Sequence, residues 1–190
     1  MAISSVMRNL NIPDIGPDEF AVVVIGGPSL GESVLLHYGD GKWIIVDSCT
    51  YRGVNLPLFF LEKIHADLDL VGHVICSHWH DDHVAGMSTL LEKCKYAYFR
   101  LPLISNDYVL PQFFVFKTER SEKENEKKAW EMFKACLDKL NDRDEADGIA
   151  YKDKYYVKLE DSIEDYQTYG TRVDIKAFSP STEMIDRFKL

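Results

Sequence analysis

The chain opens with short apolar runs separated by glycines, a pattern that predicts strands before it predicts helices. Residues 20–27, FAVVVIGG, are rich in β-branched side chains and close on two glycines. SVLLHY at residues 33–38 and KWIIVDS at residues 42–48 repeat that composition, and GDG at residues 39–41 is a tight-turn signature between them. An antiparallel hairpin is expected there. LPLFFLEKIHA, residues 56–66, follows Asn55 and carries Pro57 near its start, which predicts a helix. HVICS, residues 73–77, is too short for a helix and reads as a buried strand.

Further along, VAGMSTLLEKC predicts a helix with Val84, Met87 and Leu91 on one face. YAYF at residues 96–99 predicts a strand, while residues 101–118 fit neither period. Trp130, Phe133, Leu137 and Leu140 recur at spacings of three and four, which predicts a helix over residues 122–141 with its Lys and Glu faces in solvent. NDRDEADG, residues 141–148, reads as a polar break. YYVKL and TRVDIKAF predict two more strands, and the tail SPSTEMIDRFKL begins like a helix. Strands come first, then strand and helix in alternation. That order predicts a layered α/β or α+β sandwich and excludes a helical bundle or an all-β barrel.

Composition adds bounds. The 190 residues suit a single domain over 1–190, with 46% apolar residues to fill its core. There are 31 acidic and 22 basic residues, a net charge of −9, so the surface offers no general attraction to a nucleic-acid backbone. A bound metal would offset that charge locally, so a nuclease is not excluded. No apolar run reaches the roughly 20 residues needed to span a bilayer, and the first residues lack the apolar core of a secretory signal. Cys49, Cys76, Cys94 and Cys136 are widely spaced and form no CxxC pair. They predict reduced thiols in a cytoplasmic protein, not a disulfide framework or a thiolate zinc site.

The candidate chemistry is concentrated in SHWHDDHVAGM, residues 77–87, where three histidines and two aspartates fall within six positions. His78 and His80 are two apart at a strand end, so both imidazoles can face one ion. Asp82 and His83 follow where the backbone must turn into a helix, and they can aim at a second ion. Nitrogen and carboxylate donors suit zinc, and also iron or manganese. The bland alternative is a histidine-rich loop whose Asp81 and Asp82 serve only the start of a helix. Trp79 and Asp81 lie between the candidate ligands and are expected to point away, though Asp81 could equally support a ligand from behind. His37, His65 and His73 read as ordinary surface or core residues.

At these residues the sequence resembles the metallo-β-lactamase fold superfamily, whose His-x-His-x-Asp-His motif is matched by His78, His80, Asp82 and His83. The resemblance implies an αββα sandwich of two similar halves with metals between them at one edge. It further implies that Asp47, ending the strand IIVDS, supports the metal site without binding the ion. A plain strand-end turn residue is the alternative for Asp47. GGPSLGESVLLHYGDGKWIIVDS and DIKAFSPSTE are similar to the ComEC-like branch, whose members are mostly linked to nucleic-acid or phosphodiester hydrolysis. The wider superfamily hydrolyses β-lactams, thioesters, lactones and phosphoesters. What the resemblance implies is metal-assisted hydrolysis at a site of two zinc ions, with hydroxide available because zinc lowers the pKa of its water to about 7. Asp82 would bind the second ion and orient the attacking water as a catalytic residue. Residues 101–128 and 141–153 would be the loops that select substrate.

The chain departs from that pattern. All its histidines, His37, His65, His73, His78, His80 and His83, lie at or before His83, and its Gly39-Asp40 step falls in the first hairpin. The superfamily's bridging aspartate and last histidine therefore have no counterpart. The expectation is the first half of the sandwich, a domain incomplete at its C-terminus. Such a half leaves one sheet face uncovered, which predicts exposed apolar surface and association. A homo-oligomer or another partner would then complete the site. A catalytically inactive metal-binding or interaction module is the competing class.

Overall fold

A computed structural model describes residues 14–27, 31–78, 80–102, 124–147, 156–157, 159–168 and 171–178. Strands β1 (Phe20–Gly27), β2 (Gly31–Tyr38) and β3 (Trp43–Val46) form an antiparallel meander, as the apolar runs require. The turn at residues 39–41 closes on a Lys42 N–H donating to Gly39 O at 2.9 Å. Two short strands, β4 (Thr50–Tyr51) and β5 (Val54–Asn55), lead into helix α1 (Leu56–Lys63). Asn55 caps α1, its side chain accepting from the Leu58 N–H at 2.8 Å, and Pro57 sits in the first turn, where its missing N–H costs nothing. Strand β6 (Val71–Ile75), helices α2 (Asp81–Val84) and α3 (Met87–Lys93), and strand β7 (Tyr98–Pro102) follow. Helix α4 (Glu124–Asp147) and strands β8 (Tyr156–Val157), β9 (Ser162–Thr168) and β10 (Thr171–Lys176) complete the described elements.

Six strands make one mixed sheet in the order β1-β2-β3-β6-β7-β8. The pairs from β3 through β8 are parallel. Alternation sends Leu35, Ile45, Val74 and Phe99 to one face, where they bury against Leu58, Leu61, Met87, Leu91, Phe133 and Leu140 of the helices. This is the mixed α/β architecture, with flanking helices, that the sequence predicts.

The other face is covered in part by the β9–β10 hairpin. Its Glu164 reaches His73 Nε2 at 3.0 Å and accepts from the Tyr38 hydroxyl at 3.4 Å, and Tyr166 donates to Asp40 at 2.5 Å. Away from the hairpin, Phe20, Val22 and Val24 of β1 are 63%, 59% and 65% exposed. That apolar stripe lies on the face where a half-sandwich would be left bare.

Several elements differ from their sequence-based expectations. Strand β6 ends at Ile75, two residues before the expected end: Cys76 N–H still donates to Arg100 O of β7 at 2.9 Å, but the Ser77 N–H turns to Asp47 Oδ1 instead. The helix expected from Val84 is broken at Gly86, whose φ of 79° is left-handed. A Cβ there would lie 2.7 Å from Asn55 Nδ2, so the close approach admits only glycine. Of the polar break expected at residues 141–148, residues 141–147 are instead the end of α4, and residues 124–128 are likewise helical, not loop. Arg143 explains this. It reaches the end of α3, where its guanidinium donates to the carbonyls of Ala97 and Cys94 at 2.9 and 2.8 Å and to that of Leu91. Strand β9 (SIEDYQT) is largely polar and has no counterpart in the apolar pattern. The expected helix of the tail, and residues 103–123 of the ambiguous stretch, lie outside the described residues.

His73, expected to be ordinary, is 2% exposed and part of a buried polar group. Burial holds its pKa below the usual imidazole value, and Arg100 adds to that, while the Glu164 carboxylate opposes both. Neutral His73 therefore donates from Nε2 to Glu164. In the unfolded chain it takes a proton as pH falls through about 6.5, and in the fold only at lower pH. Its contribution to stability is thus flat above about pH 6.5 and lost below it. Thermal melts should show a steeper acid loss in the wild type than in His73→Asn. Equal slopes would show that the surrounding groups, Glu164, Arg100, Tyr98 and Tyr38, do not tune His73.

Candidate metal centre

The candidate site forms where β3 and β6 end side by side. These strands are parallel and paired through Val46 and Ile75, so the residues beyond them emerge together at the carboxyl edge of the sheet. Asp47 follows β3 and adopts a left-handed φ of 58°, a conformation that aspartate tolerates better than most side chains. Its N–H donates to Ile75 O at 2.7 Å, which ties the two strand ends together.

Asp47 is 7% exposed and both its oxygens are engaged. Oδ1 accepts from the Ser77 N–H at 2.7 Å. Oδ2 accepts from the Ser77 hydroxyl at 2.5 Å and from His83 Nδ1 at 2.8 Å. His83 thus keeps its proton on Nδ1 and turns Nε2 outward, toward Asp82 Oδ2 at 3.7 Å. That gap is too long for a hydrogen bond, so neither group is consumed by the other.

The His78 ring lies 3.8 Å from that of His83 and 4.8 Å from that of His80, centre to centre. Burial, then the neighbouring His83, pushes the His78 pKa below the ordinary imidazole value. The ring is therefore neutral at pH 7, the state in which imidazole binds metals. Asp47, His78 and His83 each offer an atom within 4.8 Å of the others. The two remaining candidates flank this group: exposed His80 lies beside His78, and Asp82 lies beside His83. His80 is also the N-cap of α2 and makes no side-chain cap bond, so Asp81 and Asp82 fall in the first helical turn and not at the cap.

The turn is braced from behind by residues that sequence reasoning passed over. Ser48 N–H donates to His83 O at 2.8 Å and Ser48 Oγ to Ala85 O at 2.8 Å. The Asn55 amide donates to Ser48 Oγ at 3.1 Å and to Gly86 O at 2.9 Å. Gly31 packs so tightly on this turn that a Cβ would lie 1.8 Å from Asp82 O. The signals for these were weak: Ser77 is the residue just before the motif, and Asn55 reads only as a helix cap.

Residues 26–146 match the family model of the metallo-beta-lactamase superfamily, a span that contains the whole cluster. The chain belongs to that superfamily. No curated protein and no solved structure matches it. The candidate ligands are imidazole and carboxylate, donors that suit a transition metal: one neutral ring, one ring fixed through Nδ1, and a carboxylate beside it. The cysteines do not compete. All four are buried and free. Burial raises the thiols, to about 11 for Cys49, about 12 for Cys94 and Cys136, and well above the usual value for Cys76, so none is a ready thiolate. Among the described residues, no helix is long and apolar enough to cross a membrane.

Proposed function

We propose that this superfamily member is a metal-dependent hydrolase acting on a phosphodiester or nucleic-acid-related substrate. The observation that carries the metal reading is the convergence of Asp47, His78 and His83 within 4.8 Å at the end of two parallel strands. In this reading His78, His80, Asp82 and His83 hold the ions, zinc first, with manganese or iron as alternatives, and Asp47 orients without binding. Asp47 supports that role because both its oxygens already accept hydrogen bonds. Zinc held there would supply a water of pKa about 7 and would polarise the scissile oxygen. The chain's own residues supply the imidazoles of His78 and His83, each held by a hydrogen bond at Nδ1, and an exposed Asp82 carboxylate that would orient the attacking water. The phosphodiester part rests on the likeness of the glycine-rich hairpin to the ComEC-like branch. The buried, unpaired cysteines suit a reducing cytoplasm.

Elemental analysis of protein purified without chelator tests the metal. Hydrolysis of bis-p-nitrophenyl phosphate, set beside a β-lactam, a thioester and a lactone, tests the substrate class. Metal with phosphodiesterase activity supports the proposal, and metal with activity only on another ester or on a lactam moves the substrate. A chain that carries no metal and takes up none on titration is the interaction module of the competing class. Size-exclusion chromatography on the same sample tests association with a second copy.

A further inference from the structure

We infer that Ser77 is a positioning residue that fixes the tautomer of His78, so that one carboxylate sets the direction of two imidazoles. The inference rests on the metal-site reading above. A serine hydroxyl has a single proton to give. Ser77 Oγ stands 2.5 Å from Asp47 Oδ2 and 2.9 Å from His78 Nδ1. Two oxygens at the first distance repel unless a proton lies between them, so the hydroxyl donates to Asp47. Its lone pairs then face His78, and Nδ1 must be the donor in that contact. The His78 proton is therefore on Nδ1, and Nε2 carries the lone pair for an ion.

The hydroxyl is held in this role. The Ser77 N–H is bound to the other oxygen of the same carboxylate at 2.7 Å, so backbone and side chain grip Asp47 at two points. His83 donates its own Nδ1 proton to Asp47 Oδ2 directly. The result is one anion with two arms: a direct one to His83 and a hydroxyl-bridged one to His78. Without the bridge, Nδ1 of His78 faces no acceptor among the described residues. The proton is then free to move to Nε2, the nitrogen an ion needs bare.

The test is run first on the metal-free full chain with its histidines labelled with nitrogen-15. Long-range proton–nitrogen spectra, taken near pH 8 where imidazole is neutral, report which nitrogen is protonated. His78, assigned by its loss in His78→Gln, should be protonated on Nδ1 in the wild type and in Ser77→Thr, and should shift toward Nε2 in Ser77→Ala. His83 should stay protonated on Nδ1 in all three, which also reports that the fold is intact. Zinc affinity should fall about 10- to 100-fold in Ser77→Ala and recover in Ser77→Thr. An unchanged His78 tautomer in Ser77→Ala overturns the inference, as does a zinc affinity that threonine fails to restore. A tautomer that moves while even the wild type binds no zinc upholds Ser77's role and overturns the hydrolase reading instead.

Discussion

Replacing His83 by alanine should strip the purified protein of its metal and weaken zinc binding by more than about 100-fold, beyond what losing a supporting partner alone costs. His83 is the residue on which the cluster turns. Its Nδ1 is held by Asp47 at 2.8 Å, its ring lies tilted 3.8 Å from that of His78, and its Nε2 faces Asp82 at 3.7 Å. Removing it takes away a candidate ligand and also separates Asp82 from the rest of the group. Competition against a chelating dye gives the affinity, and elemental analysis gives the content. His65→Ala is the control, because His65 is exposed and has no place in the cluster. Its metal content should equal that of the wild type. Equal metal in His83→Ala would move the ion-binding groups elsewhere in the chain.

The largest loss of stability is expected from Arg143→Ala. The guanidinium is 8% exposed and donates to the carbonyls of Leu91, Cys94 and Ala97, which end α3 and lead into β7. Truncation takes the Arg143 partner from the buried Leu91 and Ala97 carbonyls, while Cys94 O keeps the Ala97 N–H at 3.0 Å. Leaving buried acceptors unpaired costs about 1–3 kcal/mol apiece, so about 2–5 kcal/mol here, which for a chain of this size lowers the melting midpoint by about 10 °C. Arg143→Lys keeps the charge but not the planar fork, so it should fall between the two. Melts within about 2 °C of each other for wild type and Arg143→Ala would show that water takes over the three carbonyls.

The sequence revealed what local pattern controls. The β1–β2–β3 meander was visible because β-branched runs and a glycine turn alternate there, and the candidate ligands were visible because two-residue spacing on a strand end has few other uses. Asp47 was visible as the end of a strand. Three features depend on contacts far along the chain and left no local trace. Arg143 sits in a run of acidic and polar residues that reads as a helix stop, yet its partners lie 46 to 52 residues earlier. Ser77 looks like the last residue of a strand until the carboxylate of Asp47, 30 residues away, takes its proton. Strand β9 is polar because it lies over His73 and Tyr38, to which it contributes the Glu164 carboxylate. Ser77 departs from a simple pattern at the candidate site. Arg143 and β9 do so where polar groups are buried against the sheet.

The pairing of Val46 with Ile75 has one more consequence. Asp47 and Ser77 hang from neighbouring strand ends, so the spacing of the pocket is inherited from the backbone ladder of the sheet and is set as soon as the chain folds. A cation arriving at this candidate site would meet a socket already assembled, the entropy of bringing its walls together lost beforehand.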